Sequence, residues 1–136
     1  MKKIVFLAII LLIASLGSFI NSQNTQNQDY INNIKKQISE IESKIPSVKN
    51  PVNEYIKIAH LYTEIEDLDN AAIYFEKALL LEPTNANIYF KLAMIYEKKK
   101  NYPKAIDYWE KCLKYSQNKQ ISDIARKHIN FLREMK

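Results

Sequence analysis

Glycine and cysteine are almost missing from this chain of 136 residues, and each absence excludes a class of function. The single glycine is Gly17. Phosphate-cradling loops and the strained turns that carry catalytic nucleophiles both require glycine, so neither is expected after Gly17. The single cysteine is Cys112, so no disulfide can form within the chain. We expect Cys112 to be a buried packing residue, and oxidative dimerisation through it is the alternative.

Catalytic and metal-binding constellations are also missing. His60 and His128 are far apart in the sequence, and neither belongs to a group of Cys, His and carboxylate residues at ligand spacing. Asp67 and Asp69 lie in a predicted turn, where Asp is favoured for its local hydrogen bonds. We therefore expect no catalytic residue, no cofactor and no metal site, and we expect that the protein is not an enzyme.

The start of the chain has the layout of a secretory signal peptide. Lys2 and Lys3 precede an unbroken apolar run over residues 4–14, and small residues follow. We place the signal in residues 1–22, with cleavage after Gly17, Ser18 or Ser22. The alternative is an uncleaved anchor over residues 4–20, slightly shorter than the roughly 20 residues that cross a bilayer. Either way the folded part is expected to be exported, as a periplasmic, secreted or membrane-anchored domain.

Residues 23–50 combine a polar linker with an amphipathic helix. Residues 21–28 are Asn, Ser, Gln and Thr only, which favours a linker. A helix is then predicted from a cap at Asp29 to Pro46. Its isoleucines follow steps of three and four residues and form one seam: Ile31, Ile34, Ile38, Ile41 and Ile45. The seam favours packing on the rest of the chain, and coiled-coil dimerisation is the alternative.

The clearest pattern is a repeat at a constant offset. Tyr62 recurs as Tyr96, and Glu76-Lys77 recurs as Glu110-Lys111. The period is about 34 residues, a length typical of stacked helical hairpins. Small residues alternate with aromatic ones so that paired helices can approach closely. The repeat predicts two units, 52–85 and 86–119, within a domain of residues 51–119.

These units resemble the tetratricopeptide repeat (TPR), which combines a series of aromatic, small and proline positions. The first unit matches at Tyr55, Ile58, Ala59, Tyr62, Ala71, Phe75, Ala78 and Pro83. The second matches at Tyr89, Leu92, Ala93, Tyr96, Ala105, Trp109 and Cys112, but has Gln117 in place of the proline. The resemblance implies an all-α fold, an α-solenoid of two TPR helical hairpins. The Ile-rich helix is an addition at its N-terminal side, and residues 120–136 are predicted to form a C-terminal capping helix.

The resemblance also implies where a partner binds, because in this family the first helices of the units line a concave groove. The implied groove residues are Asn53, Ile56, His60, Thr63, Asn87, Phe90, Met94 and Glu97. The family's lysine and asparagine clamp for a C-terminal carboxylate is not seen, since Ile56 and His60 stand at its positions. An apolar strip therefore remains, open to a partner's helix or filled by the Ile-rich helix itself.

Charge is divided unevenly along the chain. Residues 52–97 hold eight acidic against three basic residues, and residues 98–136 hold eleven basic against four acidic residues. Such a division is usually a solvated face.

The sequence predicts a non-enzymatic adaptor or scaffold that binds a protein or peptide partner, with no nucleic acid. The alternatives are a structural protein that self-assembles, as a homo-oligomer, through the Ile seam or its exposed repeat ends, and a membrane-surface protein.

Overall fold

The structure is a computed structural model that describes the backbone of residues 2–135 and the side chains of residues 20–135. Helix makes up 83% of the chain, and the described part contains no strand, so the predicted all-α class is confirmed. The helices, with a short 3-10 turn at Ile45–Ser47, are α1 Lys2–Glu42, α2 Val52–Glu64, α3 Leu68–Leu81, α4 Ala86–Lys98, α5 Tyr102–Tyr115 and α6 Lys119–Glu134. The chain divides into two compact units, Met1–Gln37 and Ile38–Lys136.

In the first unit, the predicted linker over residues 21–28 is helical instead, and Asp29 lies inside α1 rather than at its start. No Gly or Pro interrupts the chain between residues 18 and 45. Polar side chains bond one turn apart, as Gln28 Nε2 does to Asn32 Oδ1 at 3.3 Å, which supports a solvated helix. Among the residues with described side chains, no helix has an apolar stretch that would span a bilayer. The predicted signal or anchor falls mainly on residues 1–19, whose side chains are outside that part.

In the second unit, α2 packs on α3 and α4 packs on α5, while α6 covers α5. The buried centre of each pair is an aromatic ring between small residues, Phe75 with its alanines in the first pair and Trp109 in the second. The other fully buried side chains include Ile58, Ala59, Ala71, Ala78, Leu92, Ala93, Ala105 and Cys112. The predicted alternation of large and small residues therefore forms the core of two helical hairpins, and α6 forms the predicted capping helix.

The turn inside each hairpin recurs with the period of the sequence repeat. Glu66 and Lys100 adopt positive φ angles of 60° and 58° just after α2 and α4. Asp67 N–H donates to the carbonyl of Tyr62 at 2.9 Å, and Asn101 N–H donates to the carbonyl of Tyr96 at the same distance. This backbone pattern closes a helix with a left-handed residue. Asp67 and Asn101 then cap the next helix through their side chains.

A tyrosine–glutamate hydrogen bond shows that the end of α1 belongs to the same repeat. Tyr108 OH donates to Glu76 Oε1 at 2.8 Å. Tyr74 OH, one unit earlier, donates to Glu42. Glu42 precedes Glu76 by the repeat period, as Tyr74 precedes Tyr108. Burial and the carboxylate partner raise the pKa of both tyrosines, which keeps the hydroxyls protonated as donors. Residues 38–42 thus stand where the second helix of a preceding unit would stand.

Burial of Ile38 supports this equivalence. Ile38 corresponds to Ala72 by the same offset, and each is 3% exposed. Ile41 and Ile45, which follow on the same face, are half-buried. For residues 38–45, the burial of Ile38 and the Tyr74–Glu42 hydrogen bond support the favoured interpretation of packing on the chain's own repeats.

Replacing Ile38 by Ala is expected to lower the free energy of unfolding by about 2–4 kcal/mol, because a buried side chain is lost and a cavity remains. Ile73, on α3, is 47% exposed. Its replacement by Ala is the matched control, with an expected loss below about 1 kcal/mol. Urea unfolding of the full chain measures both. Equal losses would contradict the packing of residues 38–45 on the repeats.

Replacing Lys100 by Gly is expected to raise the free energy of unfolding by about 0.5–1 kcal/mol, because only glycine adopts positive φ without strain. Lys114, an exposed lysine in the last turn of α5, is the control. The same substitution there should cost about 1 kcal/mol of helix propensity. A loss of stability in Lys100→Gly as large as in Lys114→Gly would show that the turn is not built as described.

Candidate partner-binding groove

Two adjoining cavities open between α2, α3 and α4, and a third lies between α4 and α6. The first has a volume of about 260 Å³ and is lined by His60, Thr63, Leu68, Phe75, Phe90, Lys91, Met94, Ile95 and Lys98. The second, about 220 Å³, is lined by Ile56, His60, Phe75, Asn85, Asn87, Ile88 and Lys91. The third, also about 220 Å³, is lined by Glu97, Lys127, His128 and Phe131. We call this surface the groove.

Seven of the eight predicted groove residues line these cavities. The first cavity contains His60, Thr63, Phe90 and Met94, the second adds Ile56 and Asn87, and the third contains Glu97. Asn53 is exposed on α2 and lines none of the three. The structure adds three lysines that the sequence analysis did not name: Lys91, Lys98 and Lys127. Lys91 directly follows a predicted groove residue, and that adjacency is the only signal that pointed to it.

Residues 38–45 of the Ile-rich segment contribute no side chain to the three cavities. Their place is beside Tyr74, as described above. The alternative in which the Ile-rich helix fills the groove is therefore wrong for this part of the helix. The physical reason is that Ile38 and Glu42 occupy the position of a preceding second helix, whereas the cavities lie along the first helices α2 and α4.

Paired rings fix the walls of the first cavity. His60 meets Phe75 edge to face, with ring centroids 5.3 Å apart. Phe90 meets Trp109 in the same way at 5.0 Å. Such pairs add about 0.5–1.5 kcal/mol beyond the burial of their area. Met94, by contrast, is 44% exposed and unbranched, so it can adapt to a bound side chain.

His60 is the group of the first cavity whose ordinary pKa lies near neutral pH. Burial lowers its pKa below 6.5, the Lys91 ammonium lowers it further, and Glu64 partly opposes both. The imidazole is consequently neutral at neutral pH. The groove therefore presents an uncharged ring beside an ammonium group at this point.

Glu97 is held by two partners from neighbouring helices. Trp109 Nε1–H donates to its Oε2 at 3.1 Å, and His128 Nδ1 lies 2.9 Å from the same oxygen. The Trp109 and His128 rings are stacked with centroids 4.6 Å apart. Sequence spacing gave His128 no carboxylate neighbour, but folding supplies one from 31 positions away. This network joins α4, α5 and α6.

Cys112 is fully buried and unpaired, as the sequence predicted. Its burial raises the pKa of the thiol to about 11, so the thiolate is scarce at neutral pH. Over the residues with described side chains, no cluster of three or more His, Cys, Asp or Glu is arranged to hold a metal ion.

The fold and groove define a helical-repeat scaffold, and comparison with known proteins supports that class. Two models described as tetratricopeptide repeat match residues 55–85 and 74–107. These matches identify tetratricopeptide repeats within residues 55–107. It is similar to a solved structure, the crystal structure of MamA, with a TM-score of 0.57 and 18% identity. That alignment covers 74% of this chain and 67% of the other, and at this identity it shows the fold alone. No curated protein matches the sequence.

Acidification is expected to destabilise the protein less when His60 is replaced by Gln. Because the folded-state pKa of His60 lies below 6.5, the unfolded state binds more protons between that pKa and 6.5. The free energy of unfolding therefore rises with pH between the folded-state pKa of His60 and 6.5. Above that window, protonation of His60 no longer lowers it. Urea unfolding at neutral and mildly acidic pH measures the difference between the two proteins. An identical pH dependence in both would contradict the described environment of His60.

Proposed function

We propose that this protein is a non-enzymatic adaptor whose groove binds a peptide or helix of a protein partner. The observation that carries the proposal is the first cavity, which combines an apolar lining with access from solvent. Its lining includes Phe90 and the 44%-exposed Met94. An apolar groove between helices suits a partner's amphipathic helix or extended segment, whose side chains serve as anchors.

The electrostatic setting of the groove supports binding rather than catalysis. Glu97 is already occupied by Trp109 and His128. His60 faces Phe75 through a ring contact rather than a carboxylate. Neither group is paired with a nucleophile, which acid–base catalysis would require. Binding through shape, apolar contact and charge is the function this arrangement serves best.

Self-assembly through the Ile seam is a weaker candidate, because Ile38 is 3% exposed in the single chain. A dimer built on this side chain would have to remove it from its own repeats first. Attachment to a membrane surface through the basic C-terminal half is the third candidate. It requires the exposed lysines and arginines of α6 to face the lipid.

We also propose that the domain is exported, on the basis of Lys2, Lys3 and the apolar run that follows. In cells of the source organism, the mature protein is expected to begin at Ser18, Phe19 or Gln23. Mass spectrometry of the intact protein checks this directly. An untruncated chain in a membrane fraction would indicate the anchor, and an untruncated chain in the cytosol would contradict export.

Peptides selected from a random display library against the full chain test the adaptor function. Replacing Met94 by Glu is expected to weaken binding of the selected peptides at least about tenfold, because a charge enters the apolar cavity. Leu80, 83% exposed on α3, lines none of the three cavities. Leu80→Glu is the matched control and should change nothing.

Circular dichroism of both variants confirms that each is folded. Peptides that bind Met94→Glu as tightly as the unaltered protein would overturn the groove as the binding site. Failure to select any peptide would overturn the adaptor proposal.

A further inference from the structure

We infer that the groove takes an acidic segment of a partner protein, with one large apolar side chain in the first cavity and carboxylates beside Lys91, Lys98 and Lys127. This inference rests on the proposed function and names the chemistry of the partner. It commits to a protein segment, not to a second copy of this chain and not to a lipid surface.

The size of the first cavity favours a single side chain. About 260 Å³ lies below the roughly 300–1,000 Å³ of sites that enclose whole small molecules. Its lining is mostly apolar, with Leu68, Phe75, Phe90, Met94 and Ile95 contributing. A cavity of this size and lining is an anchor site, of the kind that receives one side chain of a bound helix or peptide.

The fully charged side chains that line the groove are mostly basic. Residues 52–97 carry a net charge of −5, since eight acidic residues face three basic ones. Nevertheless, the fully charged side chains that line the three cavities are Lys91, Lys98, Lys127 and Glu97. Lys91 is one of the three basic residues of that segment, and Lys98 and Lys127 come from the basic residues 98–136, so three lysines line the groove against one carboxylate.

The negative charges near the groove are already engaged, whereas the lysines remain accessible. Glu97 accepts from Trp109 and faces His128. Lys98 pairs with Glu66 at 2.9 Å, but both side chains are more than half exposed, so solvent screens the pair and it contributes little. Over residues 20–135, Lys91 forms no ion pair. Carboxylates of a partner can therefore pair with these lysines at little cost.

The positions of the apolar cavity and the lysines along the groove indicate how a bound segment would be oriented. The apolar cavity lies between α2 and α4, and Lys127 lies beyond it in the cavity between α4 and α6. Glu64, on α2, influences His60 at the opposite side and makes that end less positive. We therefore place the carboxylates of the segment around the anchor and toward α6.

Three short synthetic peptides test the inference by fluorescence anisotropy with the full chain. The first carries one Leu among Asp and Glu residues, the second has the same Leu among Lys residues, and the third has Ser in place of the Leu of the first. The first is expected to bind at least about tenfold more tightly than either of the others, and less tightly at high ionic strength. Equal binding of the first two peptides would overturn the inference.

Charge-reversal variants localise the interaction. Lys91→Glu and Lys98→Glu are each expected to weaken binding of the acidic peptide about fivefold. Lys114 lines none of the three cavities, so Lys114→Glu is the control with the same charge change. An acidic peptide that responds equally to Lys91→Glu and Lys114→Glu would be attracted by net charge alone, which overturns the inference.

The two proposals fail in different ways. If no acidic peptide binds, while display-selected peptides bind and respond to Met94→Glu, the inference is wrong and the adaptor function stands. If neither kind of peptide binds, both are wrong. Binding of the acidic peptide that is lost in Met94→Glu and weakened in Lys91→Glu supports both.

Discussion

A hydrogen bond from a tyrosine hydroxyl to a glutamate of the preceding unit holds each unit of this fold to the one before it. The bond joins Tyr108 to Glu76 and recurs between Tyr74 and Glu42. A hydroxyl left buried without a partner would cost about 1–3 kcal/mol, so the two groups fix each other's position. Stacked tyrosines, such as Tyr96 and Tyr108 with ring centroids 5.4 Å apart, surround this bond. Together with the packing of α3 on α4, this bond sets successive helical hairpins beside each other.

The groove is a consequence of that arrangement. When the second helices are locked by the tyrosine–glutamate bonds, the first helices α2 and α4 are set side by side with a cavity between them. Alanines at the helix contacts allow the pairs to close, and Phe75 and Trp109 support the cavity from behind. The same locking places residues 38–42 beside Tyr74, where they complete the stack and leave the groove unfilled. Lysines on α4 and α6 then give the open surface its charge.

The period of the repeat predicted the helical hairpins well. Helix packing requires small and aromatic side chains at fixed positions, so the alternation of side-chain size is visible in the sequence. The groove register followed from the same period, and only Asn53 lies off the cavities. The equivalence of residues 38–42 to a second helix was missed, because Ile38 replaces Ala72 and hides the similarity. The helical state of residues 21–28 was missed because Asn and Gln are compatible with both a linker and a solvated helix. The contact of Glu97 with His128 depends on three helices meeting, and no local pattern encodes it.

The most direct measurement of the central claim is the change in amide chemical shifts of the labelled protein as the acidic, leucine-containing peptide is added. The account predicts that the largest changes fall on α2 and α4, at His60, Phe90 and Met94, with smaller changes extending to Lys127. Residues on the outer face of α3, including Ile73 and Leu80, should be unaffected. Changes concentrated on that outer face of α3 or on α1 would contradict the claim that the groove between the first helices is the binding surface.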